Sequence, residues 1–163
     1  MKNLMAIFFI TLFFSCNSAS EKTQAMQNRI DSLENKLAQT YKPGLGEFMS
    51  SIQIHHAKLW FAGENQNWQL AGFEIGEIKE ALEDIPVYCA DRPEVQKLTM
   101  INPALDSLGN AINTKNLQQF KKGFILLTAT CNSCHQATNH AFNIIKIPDA
   151  PPFSNQDFKV HPK

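Results

Sequence analysis

The chain has 163 residues, with 15 basic and 15 acidic side chains, four cysteines and 44% apolar residues. This length fits one ordinary domain with short appendages. Because the charges balance, the chain lacks the excess of basic residues that nucleic-acid binding generally needs, and the composition excludes that function as the first hypothesis. The apolar content is too high for a disordered chain, and cysteine is too sparse for a disulfide scaffold.

The first 15 residues have the features of an export signal. Lys2 precedes residues 4–14, which are almost wholly apolar. A stretch of about 11 residues is too short to span a bilayer but suits the core of a signal peptide. The following Ser15-Cys16 pair resembles the lipobox of bacterial lipoproteins. We therefore expect a signal peptide over 1–15, export to the periplasmic side of a bacterial membrane and a lipid anchor at Cys16. Simple secretion with another cut site is the alternative.

Residues 16–43 are predicted to form a lipid-anchored linker with a helical stalk. Apolar residues recur in this polar stretch at spacings of four, three and four, and they are Met26, Ile30, Leu33 and Leu37. The pattern is that of a coiled-coil seam, but it is only about two heptads long. It favours a stalk, with a weak self-association helix as the alternative.

Proline placement outlines the rest of the chain, because proline removes a helix donor and clashes with the preceding turn. Prolines are absent from 44–85 and from 104–147. Within the first stretch, Gly63 can end a helix in the left-handed conformation and Asn67 can cap the next one. Apolar spacing then predicts four helices, at about 44–62, about 68–85 with Pro86 as its stop, about 94–113 with a break at Asn102-Pro103, and, after a separation at Asn113-Thr114, from Leu117 to about 145.

Four amphipathic helices with short connections indicate an all-α protein, with an antiparallel four-helix bundle over 44–147. Residues 148–163 include Pro151 and Pro152 and few candidates for a core. They predict an extended proline-rich tail that lies over the surface of the bundle.

The motif that points to chemistry is Cys131-Asn132-Ser133-Cys134-His135, a C-x-x-C-H sequence typical of c-type haem attachment. Thiols three residues apart on a helix can reach both vinyl groups of one haem from the same side, and His135 can present its imidazole to the iron. We expect one covalent haem c, held by Cys131, Cys134 and His135. A zinc site needs further ligands with similar spacing, and a thioredoxin-like pair needs a βαβ context. A disulfide between the two cysteines is unusual within a helix.

With its motif on the last predicted helix, the chain resembles the class II c-type cytochromes, the cytochrome c-prime type. These are four-helix bundles with one haem attached by C-x-x-C-H on the last helix, and the resemblance covers about 44–145. It implies a monohaem carrier of single electrons between redox partner proteins, rather than an enzyme. Proteins of this type often form homodimers, so a homodimer is expected here by analogy.

The resemblance also implies that the first helix of the bundle faces the distal side of the haem. Helical phase places His56 about 20° and Met49 about 40° from the centre of the apolar face, with His55 about 80° away. In an antiparallel pair, His56 lies opposite about residue 133, level with the motif. We predict His56 as the sixth iron ligand, with Met49, His55 or an open site as alternatives. An open site would suit an NO-binding or CO-binding or sensing haem protein, and an accessory haem subunit of a respiratory complex is a further alternative.

Overall fold

The computed structural model describes the backbone of residues 2–161 and the side chains of residues 20–161. Over this part of the chain it contains five α-helices, one 3-10 helix and no β-strand. The all-α prediction is therefore confirmed.

The chain divides into two compact units, Met1–Lys42 and Pro43–Lys163. The first unit is built on one helix, α1, which spans Lys2–Ala38. The apolar residues of its heptad pattern, Met26, Ile30, Leu33 and Leu37, are 44–67% exposed. The predicted signal peptide and the lipidation site Cys16 lie outside the residues whose side chains are described. Within the described residues, no helix is both long enough and apolar enough to cross a bilayer.

The second unit contains four α-helices and the 3-10 helix, which share one hydrophobic core. Their bounds are α2 Leu45–Glu64, α3 Trp68–Tyr88, the 3-10 helix Pro93–Ile101, α4 Asn102–Asn113 and α5 Leu117–Ala137. Leu59, Leu108, Phe120 and Phe124 are fully buried at its centre. Burying each of these side chains contributes roughly 1.5–3 kcal/mol relative to leaving it in water.

The turn between α2 and α3 differs from the sequence prediction in one respect. Gly63 lies inside α2, so the expectation that it ends the helix is wrong, and the left-handed residue of the turn is Gln66, with φ 55°. The position needs a glycine for another reason, because a Cβ atom there would overlap the ring of Phe120. The predicted cap is confirmed, because the Asn67 side chain accepts a hydrogen bond from the backbone N–H of Leu70 at 3.2 Å.

Pro86 and Pro103 were predicted to stop one helix and to break another, and their outcomes differ. The helix α3 continues through Pro86 to Tyr88, so the expectation that Pro86 stops it is wrong. Pro86 removes one helix donor, and the helix extends only two residues beyond it. The predicted break at Asn102-Pro103 is confirmed, because the 3-10 helix gives way there to α4. Pro103 falls in the first turn of α4, where its missing N–H has no helical acceptor in any case.

The last helix is shorter than predicted, because α5 ends at Ala137 rather than near 145. Asn139 adopts φ 63°, a left-handed conformation that asparagine tolerates better than most residues. The backbone N–H of His140 then donates to the His135 carbonyl at 2.7 Å, which closes the helix end. This turn sends the following residues back along α5.

The non-helical C-terminal segment therefore begins at 138, earlier than the predicted start at 148. It is also less peripheral than expected, because Phe158 is 5% exposed and belongs to the core. The ring of Phe158 lies 5.7 Å from the ring of Phe61 on α2. The far end of this segment is thus packed into the domain.

Candidate functional site

A cavity of about 350 Å³ lies between α2 and α5. The α5 side presents all three motif residues, Cys131, Cys134 and His135, and the α2 side includes Met49 and His56. Much of the remaining wall is apolar, with Leu45, Ile52, Leu82, Leu98, Ile101 and Ile145. The structure thus brings five of the six candidate haem-site residues with described side chains into one cavity, and His55 is the one outside its lining.

Both motif thiols are free and partly buried. Burial, together with the neighbouring Cys134, raises the pKa of Cys131 to about 11. Burial and the nearby Glu94 carboxylate also raise the pKa of Cys134. Thiols with raised pKa values stay protonated near neutral pH, whereas thioredoxin-like pairs depend on a lowered pKa. The arrangement disfavours the redox-active dithiol that the sequence left as an alternative.

The imidazole of His135 has a defined tautomer. Its Nδ1 lies 2.7 Å from the backbone carbonyl oxygen of Asn143. A carbonyl oxygen only accepts hydrogen bonds, so Nδ1 carries a proton, and in the neutral ring Nε2 keeps the lone pair. Histidines that bind metals commonly have one ring nitrogen held in this way, which orients the ring and makes the other nitrogen more basic.

One residue of the site has no signal in the sequence. Asn132, between the two cysteines, donates from Nδ2 to the Ile145 carbonyl at 2.8 Å, and its Oδ1 accepts from the Ile145 N–H at 2.8 Å. The two residues are 13 positions apart. The C-x-x-C-H pattern leaves this position free, so the contact emerges only when the chain folds back over α5.

His56 is 4% exposed and lies at the α2–α5 contact. Its Nε2 is 2.9 Å from Thr128 Oγ1, and that hydroxyl lies 2.9 Å from the Phe124 carbonyl oxygen. Since the carbonyl takes the only hydroxyl proton, the hydroxyl accepts from the imidazole, so Nε2 carries the proton. Burial lowers the pKa of His56 to about 4, so the ring is neutral. Its Nδ1 lone pair has no hydrogen-bond partner within the described residues.

Three cross-helix contacts define the register of α2 against α5. His56 contacts Thr128, the rings of Trp60 and Phe124 lie 4.9 Å apart, and Glu64 pairs with Lys121 at 2.9 Å. As the numbers on α2 rise, those on α5 fall. The two helices are therefore antiparallel, as predicted.

The same register corrects the predicted axial level of His56. The sequence analysis placed His56 opposite about residue 133, but its partner is Thr128. The error arises because the prediction extended the last helix to about 145, and α5 ends at Ala137. Met49 lies seven residues before His56, so it is level with about residue 135, two turns along the antiparallel pair. Met49, rather than His56, is level with the motif.

The third candidate, His55, faces away from the cavity. Its Nδ1 lies 2.6 Å from Oε2 of Glu74 on α3, whose side chain is 1% exposed. Its Nε2 is 3.9 Å from Glu77. The buried carboxylate therefore holds His55 at the α2–α3 contact, where it satisfies an otherwise unpaired buried acid.

One edge of the cavity is charged. Arg92 and Glu94 form an ion pair at 2.9 Å, and His140 Nε2 lies 3.9 Å from the same carboxylate. The backbone N–H of Glu94 and the guanidinium of Arg92 hold the pKa of this carboxyl below its usual range. His140 thus lies at the polar edge of the cavity with Arg92.

Within residues 20–161, no three histidine, cysteine, aspartate or glutamate side chains are grouped so that they could hold a metal ion by themselves. No protein-family model, curated protein or solved structure matches this chain.

Proposed function

We propose that the protein is a monohaem c-type cytochrome that carries single electrons. The observation that supports this most directly is the joint placement of Cys131, Cys134 and His135 on the wall of one largely apolar cavity. The cavity is within the size range of ligand and cofactor sites. The protonated Nδ1 of His135 leaves Nε2 directed to act as a ligand.

Haem, when bound, supplies a one-electron iron couple, and the protein holds, buries and tunes it. Each motif thiol would add across one vinyl double bond, with the sulfur joining one carbon and the thiol proton passing to the other. No external oxidant is needed for this addition. His135 would ligate the iron through Nε2.

On the distal side, we propose Met49 as the sixth ligand in place of His56. The register supports this choice, because Met49 is level with the motif and lines the same cavity. His56 is engaged through Nε2 by Thr128, two turns further along α2. A thioether ligand would raise the reduction potential relative to a second histidine.

The proposal extends to architecture and location. The antiparallel α2–α5 pair and the short turns that join α2 to α3 and α4 to α5 support an antiparallel four-helix bundle. The apolar start of the sequence supports export, and Cys16 supports a lipid anchor on the periplasmic side of a bacterial membrane. Redox partner proteins would supply and take the electron, and a homodimer is part of the same proposal.

A second candidate function is the binding or sensing of NO or CO at an open distal position. The neutral His56, whose Nδ1 has no partner in the described part of the chain, favours it. Such a nitrogen can accept a hydrogen bond from a molecule in the cavity. This function requires that Met49 does not ligate the iron.

The test is to produce the full chain in a host with haem-maturation machinery and to weigh the mature protein. We expect the added mass of one porphyrin on the peptide that contains residues 131–135. The double variant Cys131→Ala/Cys134→Ala should lose it, whereas Cys89→Ala should keep it, because that thiol is buried and does not line the cavity. Absence of porphyrin from the parent chain would refute the proposal.

A visible spectrum separates the two candidate functions. Low-spin bands that do not respond to CO are expected for an electron carrier with Met49 bound. High-spin bands that shift with CO would instead support the ligand-binding function.

A further inference from the structure

The segment that follows α5 is held against the motif by one side chain. Asn132 Nδ2 donates to the Ile145 carbonyl and Oδ1 accepts from the Ile145 N–H, both at 2.8 Å. A single amide side chain thus satisfies both backbone groups of one residue. We call this pair of hydrogen bonds the Asn132 clamp.

The clamp lies two residues from the carbonyl that orients His135. Asn143 is the acceptor for His135 Nδ1 at 2.7 Å. Because Ile145 follows it closely in the chain, fixing the backbone of Ile145 restricts where the Asn143 carbonyl can lie. The clamp and the orienting bond therefore connect α5 twice to the same short stretch.

Packing offers this stretch little alternative support. The side chains of Phe142 and Ile144 are 82% and 75% exposed, so they add little burial. Besides these hydrogen bonds, the stretch has a turn bond from the Asn143 N–H to the His140 carbonyl at 2.9 Å. Ile145 itself is half-buried on the cavity wall, so the Asn132 hydrogen bonds and that one apolar contact together fix the backbone beside the Asn143 carbonyl.

We infer that Asn132 is a positioning residue for His135 and that it sets the reduction potential of the site; this inference rests on the proposed haem function. A strong hydrogen bond from Nδ1–H makes Nε2 a better electron donor to a bound metal. Greater donation stabilises the oxidised iron more than the reduced iron. By holding the Asn143 carbonyl in place, Asn132 keeps the potential low.

The experiment compares Asn132→Ala with Ser133→Ala in the haem-loaded full chain. Ser133 is a matched control, because it lies in the same motif and is exposed, and its hydroxyl donates within α5 to the Ala129 carbonyl. We expect Asn132→Ala to raise the midpoint potential, and a tenfold loss of oxidised-state preference corresponds to about 59 mV. Ser133→Ala should leave the potential at the parent value.

A second measurement separates positioning from general destabilisation. Hydrogen exchange of the His135 Nδ1–H and of the Ile145 amide, followed by NMR in the reduced protein, should become faster in Asn132→Ala. The variant Asn132→Leu keeps a similar side-chain volume and adds no charge but loses both hydrogen bonds to Ile145, so it should match Asn132→Ala in potential.

Asn132→Ala protein that carries haem at the parent potential, with unchanged exchange at His135, would overturn this inference alone. If Asn132→Ala does not fold, the parent decides, because rapid exchange of its Ile145 amide would also overturn the inference. A parent chain without covalent haem would instead remove the proposed function and this inference together.

Discussion

His56 and Thr128 join α2 to α5 through a buried hydrogen bond of 2.9 Å between Nε2 and Oγ1. The Thr128 hydroxyl already donates to the Phe124 carbonyl, so the imidazole is the donor in this pair. The contact anchors the register of the two helices and occupies the nitrogen by which His56 would most simply bind iron. It also brings Met49 level with the C-x-x-C-H motif.

The first prediction concerns the iron ligand. We expect Met49→Leu to convert the haem-loaded protein from low spin to high spin, because leucine keeps the apolar volume but has no sulfur donor. We expect His56→Ala to remain low spin. Visible spectra with and without CO provide the measurement. If Met49→Leu remains low spin and His56→Ala becomes high spin, the sixth ligand is instead His56, as the sequence analysis predicted.

The second prediction concerns acid stability. Burial holds the pKa of His56 at about 4, below the 6.5 of an exposed histidine. Between these two pH values the unfolded chain binds a proton at this histidine and the folded chain does not. The contribution of His56 to the unfolding free energy is therefore complete above pH 6.5 and decreases as the pH falls toward 4. From pH 7 to pH 4 this one residue should remove about 3 kcal/mol of unfolding free energy.

Urea unfolding across that pH range checks this contribution. The variant His56→Gln should show a flatter dependence of unfolding free energy on pH than the parent. His161→Gln should keep the parent slope, because the side chain of His161 is 70% exposed. Equal slopes for all three proteins would contradict a buried neutral His56.

The third prediction uses two glycines of the helices. Gly63→Ala should lower the unfolding free energy by about 1–3 kcal/mol, since its methyl group would overlap the buried Phe120 ring. Gly76→Ala should raise it by roughly 0.5–1 kcal/mol, because no atom lies within 4 Å of the new Cβ and alanine favours a helix. Thermal unfolding of both variants gives the comparison, and destabilisation of similar size at both positions would argue against the Phe120 contact.

The fourth prediction tests whether the C-terminal segment belongs to the folded domain. Phe158→Ala should destabilise by about 3–5 kcal/mol, as expected for a buried phenylalanine. Phe142→Ala removes the same side chain from the same segment, but that ring is 82% exposed and its loss should change stability by less than about 0.5 kcal/mol. Chemical unfolding measures both, and a Phe158 variant as stable as the parent would indicate a segment that does not pack.

Several local features were predictable because their causes lie within a few residues. The Asn67 cap needs only a side-chain oxygen and an N–H three residues later. The start of α4 at Asn102-Pro103 follows from the fixed φ of proline. Phe120, Phe124 and Leu127 recur at helical spacing, and all three are buried on α5.

The prediction failed where a distant residue decides the local outcome. Gly63 resembles a helix terminator, yet a glycine is needed there because a Cβ atom would overlap the ring of Phe120 on another helix. The end of α5 depends on the left-handed conformation of Asn139. Asparagine tolerates this conformation, but an asparagine in a polar stretch does not by itself predict it. Because that end was placed too late, the level of His56 against α5 was wrong as well.

The amino-acid sequence by itself determined the helical class, the main helix starts and the spacing that brings two thiols and an imidazole to one end of α5, since helix periodicity, caps and proline act locally. Tertiary structure decided which α2 side chain is level with that end and which asparagine holds the chain behind His135. Those outcomes depend on side-chain packing and hydrogen bonds between positions that are far apart in the chain, so no local pattern encodes them.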